Sequence, residues 1–190
     1  KKTNVIRFAS QIIYEESGEK SSIYKHPKWE GATKSFFRKY KHLSRSSLSE
    51  HIFRKSSYQK IGFRNFKMAW HSDDMAWMEF SGKKPIYTIN NSIIYIRLSH
   101  SSISGKGDNL SQKREASVSF YKLIIKTKLD SFNKAQQFQL LRRYENLLCA
   151  CKMMSLLQWM FLLKYYFIFF DFYNLKKFLK RFLKSYLKSR

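Results

Sequence analysis

Cations interleaved with aromatic rings are the residues of this sequence with the clearest chemistry. One such run extends from Phe36 to His42, and a second extends from Tyr58 to Trp70. Aromatic rings can stack on unpaired bases while neighbouring cations hold the phosphate backbone. The pattern fits equally well a hydrophobic core face backed by a solvated basic face. On the first interpretation, the first run supplies three candidate RNA contacts: Arg38, Lys39 and Lys41.

The overall charge indicates the class of partner. The chain has 37 Lys and Arg against 13 Asp and Glu, a formal net charge of +24. A free protein with this imbalance repels itself, so a polyanion such as nucleic acid or an anionic membrane is implied. Hydrophobic residues make up 44% and aromatic residues 17%, which excludes a disordered basic tail. We therefore expect an RNA-bound structural protein, not an enzyme, with no cofactor or small-molecule substrate.

The signals for catalysis are weak and concentrated around one histidine. His71 together with Asp73 and Asp74 could form a metal or acid–base cluster, but capping of a helix explains the two aspartates more simply. No catalytic or metal-binding residue is therefore predicted. An RNA-processing enzyme that depends on His71 or Asp73 stays as a third hypothesis.

The elements that must position these residues begin with an irregular arm over residues 1–31. A helix is predicted around Phe36 to Leu43, and a second helical turn around Leu48 to Phe53, with Ser47 as its N-cap and Glu50 at the capping-box position. The alternation around Tyr58 to Phe66 predicts a strand.

The central region contains the clearest local signals. Ser72 or Asp73 is expected to cap a short helix that ends at Gly82, a natural left-handed residue, with Pro85 just beyond it. Ile86 to Leu98 predicts one strand, or two strands around a polar break at Asn90 and Asn91. A loop follows over residues 99–114, and residues 118–129 could be strand or helix.

The last third of the chain is predicted to be helical. Apolar residues recur at helical spacing from Ala135 to Leu163, and Leu175 to Leu187 form one face of an amphipathic helix. Its cationic face could contact RNA phosphates, lie on anionic lipid or simply be solvated. The candidate RNA contacts on this face are Lys176, Lys177, Lys180, Arg181 and Lys184.

The segment from Met153 to Tyr173 is a candidate membrane span. Gln158, Lys164 and Asp171 interrupt it, which favours a buried helix or a protein contact. Together, the elements predict an α+β fold with a small antiparallel or mixed sheet, packed helices and a helical basic C-terminal extension. The expected domains are a basic N-terminal arm with short helices (1–55), an α+β RNA-binding core (56–133) and the extension (134–190).

The segment from Asp74 to Leu110 resembles the ribosomal protein L five family of the large subunit. That family has a helix ending in an Ala-x-x-x-Leu-Thr-Gly-Gln-Lys-Pro type turn, to which the run from Ala76 to Thr88 is similar. Its next segment, of the Lys-Ser-Ile-Ala-x-Phe-Lys-Ile-Arg type, is similar to Asn91 to Leu98 if one residue is deleted between the two segments. By this resemblance, the candidate RNA contacts are Lys83, Lys84, Asn91, Ser92 and Arg97.

The resemblance implies an α+β domain that contacts 5S ribosomal RNA, or large-subunit RNA in its place, and a small-subunit bridge protein. The composition, rich in Phe, Tyr, Ile, Lys, Asn and Ser, matches AT-rich codons and is typical of the genome of an AT-rich organelle or parasite. We therefore predict a structural constituent of the large subunit of a mitochondrial ribosome, located in the matrix. Its predicted partners are ribosomal RNA and neighbouring ribosomal proteins. The alternative is a membrane-associated subunit of an organellar complex.

Overall fold

A computed structural model describes residues 2–100, 102, 109–169 and 172–188 of the chain. It divides into two compact units, Lys1–Phe120 and Tyr121–Arg190. The predicted three-domain division stays a prediction. Within the described ranges the fold is α+β, with a mixed four-stranded sheet and seven α-helices, which confirms the predicted class.

The sheet of the first unit has a central strand that the sequence did not predict. Strand β1, Val5–Tyr14, lies between β4 and β3 in the order β2-β4-β1-β3, so the prediction of an irregular arm over residues 1–31 was wrong. Val5, Arg7 and Ala9 are buried in alternation along β1, as a strand requires. A cation at one buried position concealed the alternation. The other strands are β2 (Trp29–Glu30), β3 (His51–Phe53) and β4 (Ile86–Leu98).

Strand β4 is continuous and contains a bulge where the sequence predicted a break. It runs parallel to β1, and the register shifts between Phe8, opposite Ile89, and Ala9, opposite Ile93. Residues 90–92 are therefore extra on β4. The Asn90 amide exchanges two hydrogen bonds with the backbone of His26, which satisfies polar groups beside the irregularity.

Four helices begin in the first unit: α1 (Ala32–Tyr40), α2 (Lys55–Ile61), α3 (Ser72–Phe80) and α4 (Leu110–Thr127), which continues into the second unit. The predicted strand from Tyr58 was wrong, because α2 covers its start. The helical turn predicted at Leu48 to Phe53 was also wrong, since His51–Phe53 pairs with β1. The predicted bond between Ser47 and Glu50 does exist, with Ser47 N donating to Glu50 Oε1 at 2.9 Å, but it closes a turn.

Helix α3 packs on the sheet in the core of this unit. Ala76, Trp77 and Phe80 contact Val5 and Ile86. The predicted N-caps Ser72 and Asp73 were wrong. The N-cap is His71, in the left-handed conformation with φ 71°, and its side chain makes no capping bond. The predicted left-handed Gly82 is confirmed, with φ 57°. The predicted loop over 99–114 lies partly outside the described residues, and its last residues belong to α4.

The second unit consists of the end of α4 and three further helices, α5 (Lys134–Ala150), α6 (Leu156–Phe169) and α7 (Phe172–Lys188). A capping box between Asn133 and Gln136 starts α5. The predicted helical region from Ala135 to Leu163 is divided by residues 151–155, and the predicted amphipathic terminal helix is confirmed. Within the described ranges, no helix combines the length and hydropathy that crossing a bilayer requires.

Candidate nucleic-acid interface

The buried carboxylates determine which cations remain available on the surface. In the first unit Glu30 lies between Arg7, which is fully buried on β1, and Arg38 on α1. Arg7 Nη2 donates to Glu30 Oε2 at 2.9 Å, while Arg38 Nε donates to Glu30 Oε1 at 2.7 Å and its Nη2 to Oε2 at 2.9 Å. Thr88 and Ser35 accept further bonds from Arg7. Arg38, predicted to contact RNA, is thus committed to a bidentate ion pair inside the fold.

The electrostatics of this cluster favour the ionised pair. Burial would raise the pKa of Glu30, but hydrogen bonds from Arg38 and Arg7 hold it below its ordinary value. Burial lowers the pKa of the Arg7 guanidinium, an effect that the bond to Glu30 opposes. A carboxylate that is held ionised between two cations is a structural link, because loss of either ion pair would leave a buried charge without a partner.

A second buried network joins α1, α3 and α4. Lys39 Nζ lies 2.6 Å from Asp74 Oδ1, and Asp74 Oδ2 lies 2.9 Å from His71 Nδ1. His71 Nε2 lies 2.9 Å from Ser117 Oγ, whose hydroxyl donates to the Lys113 carbonyl at 2.8 Å. Burial would raise the pKa of Asp74, but Lys39 and His71 hold it below its ordinary value. Lys39, the second predicted RNA contact, is therefore also engaged internally.

The order Asp74, His71, Ser117 has the connectivity of a catalytic triad. Ser117 is buried within α4, however, and bonds the carbonyl one turn earlier, while the His71 ring stacks on Phe120 at 4.3 Å. A nucleophile must be accessible to its substrate, and the Ser117 hydroxyl is not. The Asp74–His71–Ser117 chain is therefore better explained as a hydrogen-bonded link that holds α3 against α4. Sequence reasoning missed Ser117, because it lies 46 residues from His71.

Asp73, which the sequence grouped with His71, has a different environment. Its Oδ1 accepts a bond from the Asp74 backbone N–H at 2.8 Å. Burial and the nearby Asp74 charge raise its pKa. Across the described residues, no group of three His, Cys, Asp or Glu side chains could hold a metal ion.

The exposed cations of the first unit gather where β1, β3 and α3 meet at Asn4. Lys84 Nζ donates to Asn4 Oδ1 at 3.2 Å, and the Asn4 amide donates to the Ser81 carbonyl. On the other side, the Arg54 backbone N–H donates to the Asn4 carbonyl at 2.9 Å, and Arg54 Nε donates to the Thr3 carbonyl at 3.1 Å. We call this group the Asn4 corner, and its exposed cations are Lys2, Arg54, Lys55, Lys83 and Lys84.

The Asn4 corner differs from the networks above because its cations lack acidic partners. Within the described part of the chain, none of the five forms an ion pair with a carboxylate. Thr3 Oγ1 also donates to the Pro85 carbonyl at 2.7 Å, which fixes the turn that carries Lys83 and Lys84. The sequence singled out this turn correctly as an exposed basic element. It did not reveal Lys2, Arg54 or Lys55, which β-sheet pairing brings to the same place.

The remaining predicted contacts of the first unit are exposed but scattered. Asn91 and Ser92 lie in the β4 bulge, and Arg97 Nη1 is 3.4 Å from Glu15 Oε1 in an exposed pair. The Lys41 ammonium lies over the Tyr40 ring at 6.0 Å. Nothing in this arrangement brings these four residues together into one site.

The aromatic residues of the two basic runs divide between core and surface. Phe36, Phe37 and Phe66 are buried, so these rings belong to the core and cannot stack on bases. Tyr58 and Phe63 are partly exposed and pack beside each other with ring centroids 5.7 Å apart.

Four of the five candidate RNA contacts on α7 are exposed, and their role as RNA contacts stays a prediction. Lys176, Lys177, Lys180 and Lys184 are exposed. Arg181 instead makes a bidentate pair with the buried Glu145, at 2.7 and 3.1 Å. Arg181 is therefore a structural cation, like Arg38 and Lys39.

Comparisons of the whole chain with protein-family models, with curated proteins and with solved structures found no match.

Proposed function

We propose that this chain is an RNA-binding structural constituent of the large subunit of a mitochondrial ribosome, located in the matrix. The observation that carries the proposal is the Asn4 corner, where five exposed cations from three chain segments meet without acidic partners among the described residues. Its partners are ribosomal RNA and neighbouring ribosomal proteins, and its role is charge neutralisation without catalysis.

The placement of the carboxylates supports a phosphate partner for the corner. Glu30, Glu50 and Asp74 are buried beside cations, so they neutralise internal charge and leave the surface strongly basic. Phosphate contacts by Lys and Arg release condensed counterions, which supplies much of the affinity of nucleic-acid binding. A rigid turn carrying two lysines beside an arginine can fix the orientation of an RNA backbone.

The ribosomal assignment rests on the resemblance of the Ala76–Thr88 segment to the L five family. In that family the turn after the helix lies in an RNA-binding domain, and here the matching turn is the part of the Asn4 corner that contains Lys83 and Lys84.

The first test compares two triple variants of equal charge. Arg54→Gln/Lys83→Gln/Lys84→Gln removes cations from the corner, and Lys126→Gln/Lys134→Gln/Lys152→Gln removes exposed lysines from the second unit. We expect the corner variant to weaken binding to large-subunit RNA and to flatten the plot of log affinity against log salt by about 2 to 3, since each lost phosphate contact contributes roughly 0.7–0.9 to the slope. Equal losses in both variants would show that only net charge matters.

The second test addresses the ribosome itself. The tagged chain, expressed in mitochondria, should remain with the large subunit in sucrose gradients at high salt. Release from the particle at low salt, or absence from it, would contradict the ribosomal role even if the isolated protein binds RNA.

A further inference from the structure

The second unit has an exposed apolar surface on α6 that its own fold does not cover. Trp159, Leu162 and Tyr166 form the buried side of α6. The opposite side is 59% to 78% exposed at five apolar positions, although soluble proteins rarely leave such groups uncovered. At about 100° per residue these positions fall within roughly one third of the helix circumference and so form one stripe: Leu156, Leu157, Met160, Phe167 and Ile168.

Helix α7 extends this stripe. Trp159 packs on Phe178 and Phe182, and Tyr166 stacks on Phe178 at 4.6 Å, so the two helices run antiparallel. Phe172 and Leu183 lie on the exposed side of α7 and are 79% and 55% exposed. By helical periodicity these two residues share one side of α7, and the antiparallel direction puts Phe172 at the level of the end of α6 and Leu183 at the level of its start. The α6–α7 patch consists of the five α6 residues with Phe172 and Leu183.

The patch is bordered by cations and contains one. Lys164 is exposed between Met160 and Ile168, at spacings of four residues along the same row. On α7 the exposed lysines, Lys176 and Lys180 among them, follow the patch, and the Lys177 ammonium lies 4.1 Å from the centroid of the Tyr173 ring. Neither α6 nor α7 contains an acidic residue.

We infer that the α6–α7 patch binds the surface of an anionic lipid bilayer, with both helices lying in the plane of the membrane. Leu, Met and Phe side chains enter the acyl boundary, and the lysines contact lipid phosphates. This goes beyond the proposed RNA role and does not depend on it. The α7 lysines, predicted as RNA contacts, then face lipid headgroups, while the Asn4 corner keeps its RNA role.

Lys164 distinguishes a membrane from a protein as the occupant. The centre of a protein interface is depleted in charged residues, and a lysine there needs a carboxylate partner. At a bilayer surface the same lysine can extend its alkyl stem through the apolar layer and keep its ammonium among the headgroups. The exposed leucines and isoleucine likewise offer nothing to RNA phosphates.

The test measures co-sedimentation of the full chain with vesicles made of equal parts phosphatidylcholine and phosphatidylglycerol. Two variants carry the same chemical change and keep the net charge. Leu156→Ser/Leu157→Ser alters the patch, and Leu43→Ser/Leu48→Ser alters two comparably exposed leucines of the first unit. We expect the patch variant to bind vesicles about tenfold or more weakly, and the control by less than about twofold. Circular dichroism verifies that both variants fold.

Two further measurements separate the electrostatic contribution of the lysines from the apolar contribution of the leucines. Lys164→Gln/Lys180→Gln should weaken binding to the anionic vesicles, and pure phosphatidylcholine vesicles should bind the wild-type chain less. RNA affinity should be unchanged in the Leu156→Ser/Leu157→Ser variant, so failure here is distinct from failure of the RNA proposal. Equal vesicle binding by both leucine variants would overturn the inference, as would a patch variant that loses only self-association.

Discussion

The two units of this protein use their carboxylates differently. The first unit buries Glu30, Glu50 and Asp74. Glu30 pairs with Arg7 and Arg38, Glu50 with Arg45, and Asp74 with Lys39. Among the residues that the structure describes in the second unit, Glu145 is the one buried carboxylate, and the rest of the core packs rings and leucines such as Tyr144, Leu162 and Phe178. The first core is stabilised substantially by polar networks, whereas the second depends on apolar burial.

The difference shows how acidic residues determine the use of cations in a chain of net charge +24. A cation opposite a buried carboxylate is held within the fold, as Arg38 and Arg181 are. A cation without one, such as Lys83, stays available to an external anion. The comparison predicts that the first unit is sensitive to loss of charge pairing and to acid, while the second is much less so.

The largest effect is expected for Glu30→Gln, which leaves the buried Arg7 guanidinium without its counter-charge. Breaking a buried pair from one side costs about 3–5 kcal/mol. Urea unfolding should therefore show a strongly destabilised first unit. The exposed Glu19→Gln is the matched control and should change stability by less than about 0.5 kcal/mol. Equal, small effects would mean that the Glu30 network contributes little net stability.

Acid is expected to weaken the first unit through two buried histidines. Burial, together with Arg7 and Arg38, lowers the pKa of His26 to about 3, and burial lowers that of His51 to about 3. Their unfolded pKa is about 6.5, so the unfolded state binds more protons between these values. The contribution of these two histidines to the free energy of unfolding is therefore fully present above pH 6.5 and is lost as the pH falls towards 3. The expected loss is about 2 kcal/mol per histidine from pH 7 to 5.

The measurement is urea unfolding as a function of pH, with histidine titration followed by NMR. His26→Gln keeps an acceptor for Arg38 and should remove about half of the pH dependence. All five histidines lie in residues 1–120, so amide protection in α5 and α6 should persist at pH 5. A His26 that titrates near pH 6.5 would contradict this prediction.

The smallest effect is expected for Glu145→Gln in the second unit. Arg181 and Arg142 both pair with Glu145, but each is about 30% exposed and can regain water. The loss should be about 1.5 kcal/mol, visible as faster hydrogen exchange in α7. Phe178→Ala, which removes a buried ring, should cost more, about 3–5 kcal/mol. The reverse order would show that the second unit also depends on its ion pair.

Local patterns predicted some elements correctly and missed others for identifiable reasons. Helix α3, the left-handed Gly82, strand β4 and the amphipathic α7 each follow from neighbouring residues. Strand β1 was missed because Arg7 occupies a core position, and only its ion pair with Glu30, 23 residues away, makes that burial tolerable. The start of α2 was misread because the helix buries none of its residues, so it has no apolar periodicity to detect.

The candidate site was predictable to a similar extent. The exposed Lys83–Lys84 turn followed from a helix end, a glycine and a proline. Arg38, Lys39 and Arg181 looked the same as the exposed cations, because their carboxylate partners lie 8, 35 and 36 residues away.

The sequence by itself determined the fold class, the basic character of the chain and the amphipathic α7, since composition and helical periodicity are local properties. Tertiary structure alone decided which cations are neutralised and which remain exposed. It also gathered Lys2, Arg54 and Lys84 around Asn4 and left one face of α6 uncovered. The physical reason is that ion pairing and burial depend on distances between residues far apart in the chain, which spacing along the sequence does not encode.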